Sequence, residues 1–375
     1  VVLADRPAFR TALTDRGKLV NFTARFATDA ERENWDVHAT ANPGGGNVLQ
    51  SASFAEVKSH HGWKPLFLVL ESQNFSSYNL VLEKAYPVLG RLWYLIKGPA
   101  VETSGQVPAA VGAIREFILR SKLPVFAVKI EPDIEDTAEA RAIFREAGLQ
   151  KTFDLQPNDH TAILDTTPEP NQLLRNLHSR GRNAVRRAIR EGVEVHRVEP
   201  TPENFRTMYG LMSHIEDRSS ARLRSFEYYS RFWGNFAQAG QGRLYFVYED
   251  GEASVGAFVL NYGTKGTYKD GGSKPQRSQY GDSHLLQWTA INDLKAEHGI
   301  VEYDFCGTPP SDSLKDPSHP HHGLGLFKTS FTRTVTDFIG CYDAVIHPLR
   351  YRIWTAAGER VARQIYWRRR HQPFY

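Results

Sequence analysis

The sequence predicts an α/β protein built as two layered domains, and three observations carry that prediction. Strand-like and helix-like segments alternate through the first half, the pattern of an α/β layer architecture. The second half repeats the theme as helix, helix, hairpin strands, helix, strand. The chain has 375 residues, too long for one ordinary core and comfortable for two. Hydrophobic residues at 41% against 23% charged describe a globular chain rather than a disordered one.

The elements follow in order. Val1–Asn42 reads as an N-terminal extension, broken at Asn42-Pro43-Gly44. Val48–Lys58 is predicted to be a helix with Ser51 or Ser53 as N-cap. Leu66–Leu70 is a predicted strand, Val81–Leu95 adds strand-like material, and Gly98-Pro99 turns the chain. Pro108–Ser121 is an amphipathic helix, with Val111, Ile114, Phe117 and Ile118 at helical spacing. Val125–Ile130 is a strand, and Thr137–Ala147 is a helix closed by Gly148. Thr161–Asp165 is a strand, and Pro168 and Pro170 mark the expected domain junction.

Asn171–Glu191 is predicted to be one long helix closed by Gly192, followed by the strand Val193–Val198 and the helix Pro202–Glu216. Arg224 and Tyr228 stand four apart, on one face if helical. Gly242–Tyr248 and Ala253–Tyr262 form a hairpin at Asp250-Gly251, and Gly266–Gly272 gives another strand. His284–His298 is a helix closed by Gly299. Val301, Tyr303 and Phe305 alternate with Glu302 and Asp304, the period of a half-buried strand that Gly307 ends. A loop with four prolines follows, and order returns at Gly323, which places Lys328 just beyond a long loop. Ile353, Ala357, Val361 and Ile365 recur every four residues, so Arg350–Arg370 is a predicted helix with one apolar stripe, which in the plainer of two readings packs on the first domain with the arginines solvated.

Composition narrows the function. Two cysteines, Cys306 and Cys341, imply no disulfide framework, and a reducing, cytoplasmic location is expected. No apolar run approaches a membrane span. His319, His321 and His322 sit in a Pro-rich loop without a carboxylate or Cys partner at ligand spacing, so no metal is expected. Net charge is only +4, but Asn171–Arg190 carries six Arg and no acid, and Arg350–Arg370 carries seven Arg and one Glu. Such blocks suit an anionic partner or a solvated basic face.

Several of these segments resemble one family. "Tyr-Asp-Phe-x-Gly" at Tyr303–Gly307, a long loop, then "Gly-Leu-x-x-Phe-Lys-x-x-Phe" at Gly323–Phe331 resembles the C-terminal signature of the FemABX family. Its members are aminoacyl-tRNA-dependent peptidyltransferases that build peptidoglycan cross-bridges. Gln50-Ser51, Phe54, Lys58 and Gly62-Trp63 resemble the opening of the family's first domain, and Tyr94, Lys97 and Gly98-Pro99 its "Tyr-x-x-(Arg/Lys)-Gly-Pro". The resemblance runs from about Asn47 to Phe331 with its motifs in family order. One departure is Thr332-Arg333, where members commonly carry "Gly-Gly" after the last Phe.

The resemblance implies an α/β fold of tandem acetyltransferase-like (GNAT) domains. The first is expected over residues 1–165 plus 335–375, the tail returning to complete it, and the second over 166–334. No heptad run separates Tyr229 from Gly242, so the coiled-coil arm of some members is absent, as in the shorter FemX-like ones. The resemblance also implies site residues: Lys58 and Arg224 on the precursor's phosphates, with Tyr94, Lys97, Tyr228, Tyr268 and Phe327 toward the substrate. The implied partners are aminoacyl-tRNA and a peptidoglycan precursor, either lipid II or UDP-MurNAc-pentapeptide, with no cofactor; peripheral contact with an anionic membrane stays open, and the sequence does not fix the oligomeric state, a monomer being the default.

The implied reaction is amide formation by attack of a stem-peptide amine on the ester of an aminoacyl-tRNA. The ester is already activated, so the site must supply orientation, a proton path and charge stabilisation. Lys328 is the candidate cation for the ester or its oxyanion. Asp304 is the candidate proton acceptor, with a structural carboxylate as the alternative. Arg368, Arg369 and Arg370 are candidates for the tRNA backbone or an anionic membrane, against plain solvation. Two other functions stay open. An acyl-CoA-dependent N-acyltransferase would share the fold, but His321–Gly325 is only a weak echo of its pyrophosphate loop. A non-catalytic RNA-binding protein would use the Arg blocks, but no RNA-module motif accompanies them.

Overall fold

The computed structural model describes residues 21–155, 159–216 and 223–370. They form two compact units, one holding the described residues up to Leu155 together with Phe338–Arg370, the other running from Asp159 to Asp337.

The first unit opens with β1 (Thr23–Phe26) and the short helices α1 (Asp29–Glu33) and α2 (Trp35–Thr40). Thr28 and Glu31 close a capping box on α1. A 3-10 turn, Val48–Gln50, leads to α3 (Ala52–Ser59), and Ser51 is its N-cap, accepting from the Phe54 amide. Three strands follow, β2 (Lys64–Glu71), β3 (Ser76–Tyr86) and β4 (Gly90–Leu95), then α4 (Val107–Arg120), β5 (Val125–Ile130), α5 (Ala138–Glu146) and β6 (Gln150–Lys151). On α4, Val111, Ile114, Phe117 and Ile118 are all buried, as their spacing predicts, and pack against Leu68, Trp93 and Val128.

The second unit begins with β7 (His160–Asp165), α6 (Pro170–Asn176) and α7 (Ser179–Arg190). The single helix expected over Asn171–Glu191 is therefore broken. Leu177 is extended at φ −56°, ψ 154°, and His178 caps the new helix by accepting from the Arg180 amide. Arg182 and Arg333 donate to the Leu177 carbonyl, so that acceptor is satisfied at the break. Next come β8 (Val195–Val198), α8 (Pro202–Glu216), α9 (Phe226–Gln238), β9 (Gly242–Glu249) and β10 (Glu252–Tyr262). Asp250 and Gly251 both take positive φ, as the hairpin signal required. Then follow β11 (Lys265–Ser273), α10 (Asp282–His298), β12 (Glu302–Gly307), α11 (His322–Thr332) and β13 (Thr336–Asp337). No long arm interrupts α9 and β9.

The tail returns to the first unit with β14 (Tyr342–Val345), α12 (Pro348–Ile353), a π-helical turn (Trp354–Gly358) and α13 (Glu359–Arg370). β14 inserts between β5 and β6. β7, read from sequence as the end of the first domain, instead pairs with β12 and β13 in the second unit's sheet.

Each unit holds a seven-stranded sheet, and the two are built alike. Their orders are β1-β2-β3-β4-β5-β14-β6 and β8-β9-β10-β11-β12-β7-β13. Each is antiparallel except for one central parallel pair, β4 with β5 and β11 with β12. A helix, α4 or α10, makes the crossover that a parallel pair needs. The two parallel pairs are where the units differ.

Candidate functional site

In the second unit the parallel pair separates early. Its register ends at Thr267 opposite Asp304, although β11 continues to Ser273 and β12 to Gly307. Beyond that point Cys306 takes a left-handed φ of 58°, and the pairing with β7 shifts between Asp304 and Gly307. Asp304 holds this bulge. Its Oδ1 accepts from the Cys306 amide at 2.7 Å and from the Thr161 hydroxyl. The observed work of Asp304 is thus structural.

Lys328 lies on α11 and is 6% exposed, not a surface lysine. Its Nζ donates to the carbonyls of Cys306 at 3.1 Å and Gly307 at 2.7 Å, and stands 5.9 Å from the centre of the Tyr268 ring. It therefore sits where the parallel strands part. Burial pushes its pKa down from the ordinary 10.5 to about 8, opposed by Cys306 and Asp304. α11 reaches this position because α7 approaches it closely. A Cβ on Gly181 would strike the Ser330 carbonyl. Phe327, one residue before Lys328, packs edge-on against His284 at 4.8 Å.

Three neighbours escaped the sequence reading. Lys269 pairs with Asp270 at 3.2 Å, and Tyr229 faces the same ions. Burial works against the Lys269 cation, but Asp270 and Tyr229 outweigh it and hold the pKa above the ordinary lysine value. Burial also raises Tyr229 and Tyr268, with Asp270 adding to both. The available signal was Lys269-Asp270 inside a strand of small residues, where a solvated charge pair is out of place. Burial pushes the Cys306 thiol up to about 12, with Asp304 adding to the shift, which disfavours its thiolate at neutral pH.

Arg224 precedes α9 rather than lying on it, so the expected helical stacking with Tyr228 does not occur. The two still meet, the guanidinium standing 4.5 Å from the centre of the Tyr228 ring. Arg224 is half-buried beside the N-terminus of a 13-residue helix, a position that favours anions.

In the first unit the equivalent strand ends are closed. β4 and β5 stay paired through Leu95 and Ile130. Lys97, two residues past the last pair, binds Glu131 at 3.0 Å and Asp133 at 3.5 Å. The Tyr94 hydroxyl also donates to Glu131, and the Glu131 amide donates to the Gly98 carbonyl. Gly98 is needed here because a Cβ would lie 2.8 Å from Gln50 Nε2. Glu131 was missed because its sequence context, a strand end before Pro132, signals only a turn. Lys58, on α3, is 1% exposed with Nζ 5.1 Å from the centre of the Phe54 ring.

The tail departs most from expectation. Ile353, Val361 and Ile365 are 51%, 48% and 46% exposed, and Ala357 is exposed too. The packed face is instead Tyr351, Trp354, Ala362 and Tyr366. The cause is the π turn, which takes in an extra residue and shifts the face of α13 relative to α12. Arg368 is exposed, whereas the side chains of Arg369 and Arg370 lie outside the described residues. Among the described residues no His, Cys, Asp and Glu cluster fits a metal, and no helix is long and apolar enough to cross a membrane.

A domain model described as "Acetyltransferase (GNAT) domain" matches residues 175–313, which lie in the second unit. The lipid II:glycine glycyltransferase of Staphylococcus aureus strain MRSA252 is 22% identical, over 85% of this chain and 92% of its own length. The same-named protein of strain USA300 matches to the same extent. The crystal structure of FemX superposes with a TM-score of 0.73 at 20% identity, covering 88% of this chain and 99% of that one, which establishes the shared fold. With motifs, domain match and tandem sheets in agreement, the chain resembles the FemABX family and is built from two GNAT-like units.

Proposed function

We propose that the protein transfers an aminoacyl group from aminoacyl-tRNA to the stem-peptide amine of a peptidoglycan precursor, lipid II or UDP-MurNAc-pentapeptide. The observation that carries this reading is the match to lipid II:glycine glycyltransferases over 92% of their length. The open parallel pair of the second unit supplies a chemistry consistent with it. In this reaction the amine forms a C–N bond to the ester carbonyl carbon. The C–O bond to the tRNA ribose then breaks, and the amine's proton leaves with the ribose oxygen. Negative charge develops on the carbonyl oxygen between those events.

Lys328 is the proposed cation for that charge. It is buried, fixed by two backbone carbonyls and adjacent to the Tyr268 ring, so it needs little reorganisation during reaction. A group of this kind is worth about 2.7–4 kcal/mol of transition-state stabilisation where an oxyanion donor has been removed in other enzymes. Arg224, beside the N-terminus of α9, is proposed to hold the precursor's diphosphate, since a guanidinium fork suits phosphate oxygens. Aminoacyl-tRNA as donor implies work in the cytoplasm, at the inner face of the membrane if the acceptor is lipid-linked.

The test is transfer of radiolabelled amino acid from charged tRNA to each precursor, beside a measurement of acetyl-CoA turnover. Product on a precursor supports the reading. Acetyl-CoA turnover without tRNA-dependent product would replace it with an acyl-CoA N-acyltransferase.

A further inference from the structure

The tail carries an apolar stripe that the rest of the described chain does not cover. Leu349, Ile353, Val361 and Ile365 are 71%, 51%, 48% and 46% exposed, with Ala357 exposed between them. A four-residue spacing drifts about 40° per step in an ordinary α-helix, so a run of this length would wind about 160° around it. The extra residue in the π turn Trp354–Gly358 sets the phase back by about 100°, leaving the five side chains within about 60° of one line. The same turn keeps Tyr351, Trp354, Ala362 and Tyr366 on the opposite, packed face. The helix is thus two-sided, with one face anchored to the first unit and the other bare.

Charge identifies what suits the bare face. Arg352 and Arg360 each precede a stripe residue and so share one flank, and Arg368 lies one turn beyond Ile365. All three are exposed. The only acid between Pro348 and Arg370 is Glu359, which is half-buried. A further aliphatic side chain, Val88, is 94% exposed at the β3–β4 turn, next to Leu89, whose carbonyl accepts from Arg350. A phosphate backbone such as tRNA would use the arginines and leave five aliphatic side chains in water. A bilayer with anionic headgroups uses both: aliphatic groups enter the acyl boundary while long arginine stems reach the phosphates.

We propose that the helix formed by residues 348–370 is an interfacial element that lays its Leu349–Ile365 stripe on an anionic membrane surface. This goes beyond the transfer reaction and holds whether the acceptor is soluble or lipid-linked.

The experiment is flotation of the full chain with vesicles of phosphatidylglycerol and phosphatidylcholine, and with phosphatidylcholine alone. One variant combines Ile353→Ser, Val361→Ser and Ile365→Ser; a second combines Arg352→Gln, Arg360→Gln and Arg368→Gln. All six positions are exposed, so circular dichroism and unfolding midpoints are expected to match wild type. Wild type is expected to float with the anionic vesicles. The arginine variant loses roughly fivefold in partitioning per charge and a corresponding share of its salt dependence. The serine variant loses about tenfold or more even at low salt, because apolar burial is what salt does not screen. Equal partitioning of wild type and the serine variant would overturn the proposal. So would a wild-type dimer that the serine variant dissociates without any vesicle binding, or arginine-dependent tRNA binding with no flotation.

Discussion

Replacing Lys328 by Met separates the two things this residue does. In the folded protein burial lowers the Lys328 pKa from 10.5 to about 8. At about 1.4 kcal/mol per pH unit, that gap corresponds to roughly 3 kcal/mol of disfavoured charge. Below pH 8 both folded and unfolded chains hold the proton, and the folded state carries the full cost. Between pH 8 and 10.5 the unfolded chain keeps a proton that the folded chain gives up, so stability from this site rises with pH. Met cannot titrate, but it leaves the Cys306 and Gly307 carbonyls without their donor, at about 1–3 kcal/mol each. The two effects oppose, so near pH 7 the variant is expected to lie within about 2 kcal/mol of wild type. By pH 9.5 wild type is expected to gain about 2 kcal/mol over the variant. Urea unfolding of both proteins at pH 7, 8.5 and 9.5 measures this, and the difference cancels every other titrating group. Parallel curves would refute the claim that the ammonium is held dry. In the transfer assay the variant is expected to lose about a hundredfold or more in kcat with acceptor KM near wild type. The ratio of wild-type to variant kcat is expected to fall above pH 8, as the cation is lost. A ratio that climbs through pH 8 would make Lys328 a base instead, and a wild-type kcat would remove it from the chemistry.

Four shorter predictions follow from the same geometry. Arg224→Ala is expected to raise acceptor KM at least about tenfold with unfolding changed by less than about 1 kcal/mol, because the side chain is only half-buried; an unchanged KM rejects the phosphate assignment. Lys58 is 1% exposed, so Lys58→Ala is expected to cost about 2–4 kcal/mol of stability, and only Lys58→Met, which keeps the volume, isolates acceptor binding; unchanged KM in that variant ends its phosphate role. Glu131→Gln is expected to cost about 3 kcal/mol or more by removing the nearer of the two carboxylate charges beside buried Lys97, and adding Lys97→Met is expected to restore part of it; equal stability of single and double variants would show that the pair is not coupled. Burial lowers the His284 pKa to about 4, so the folded chain resists protonation that the unfolded chain accepts below about pH 6.5. Stability is therefore lost as pH falls through that window, and His284→Phe is expected to flatten the loss in urea unfolding between pH 6.5 and 4.

Much of the fold was legible because it rests on local signals. Ser51, Thr137, Gly148 and Gly299 end helices where their chemistry requires, and Asp250-Gly251 turns a hairpin. What was illegible depends on contacts far apart in sequence. The break at Leu177 is stabilised partly by Arg333, 156 residues away. No spacing rule announces a π turn, yet that turn decides which side of the tail is bare. Lys328, Tyr268 and Asp304 lie where β11 and β12 part, whereas Phe327 packs against His284, and sequence could not tell that Asp304 is occupied in holding the Cys306 bulge. Lys97 and Tyr94 read as substrate residues, and the structure ties both to Glu131, an acid the motif does not contain.

The two sheets also suggest why one unit is the better seat for chemistry. Counting from the last residues of each parallel pair, Lys97 and Lys269 occupy equivalent positions, two beyond Leu95 and Thr267. Opposite, one residue beyond Ile130 and Asp304, the first unit has Glu131 and the second has Phe305. That exchange has a direct consequence. In the first unit the acid reaches across, binds Lys97 and the Tyr94 hydroxyl, and ties the strand ends together. In the second, a phenyl ring cannot answer a lysine across the gap. Lys269 turns to Asp270 on its own strand, the strands part, and the vacated ends are served by Lys328 from α11. A buried ion pair is weak evidence for stability, but this one spans the ends of the paired strands in the first unit. A cation whose hydrogen bonds go to the Cys306 and Gly307 carbonyls, with no carboxylate in ion-pair contact among the described residues, keeps its charge available to an incoming oxygen. A single acid-to-aromatic difference at one register position thus accounts for why one copy of the architecture ties its strand ends together and the other leaves them open, as the proposed role of Lys328 needs.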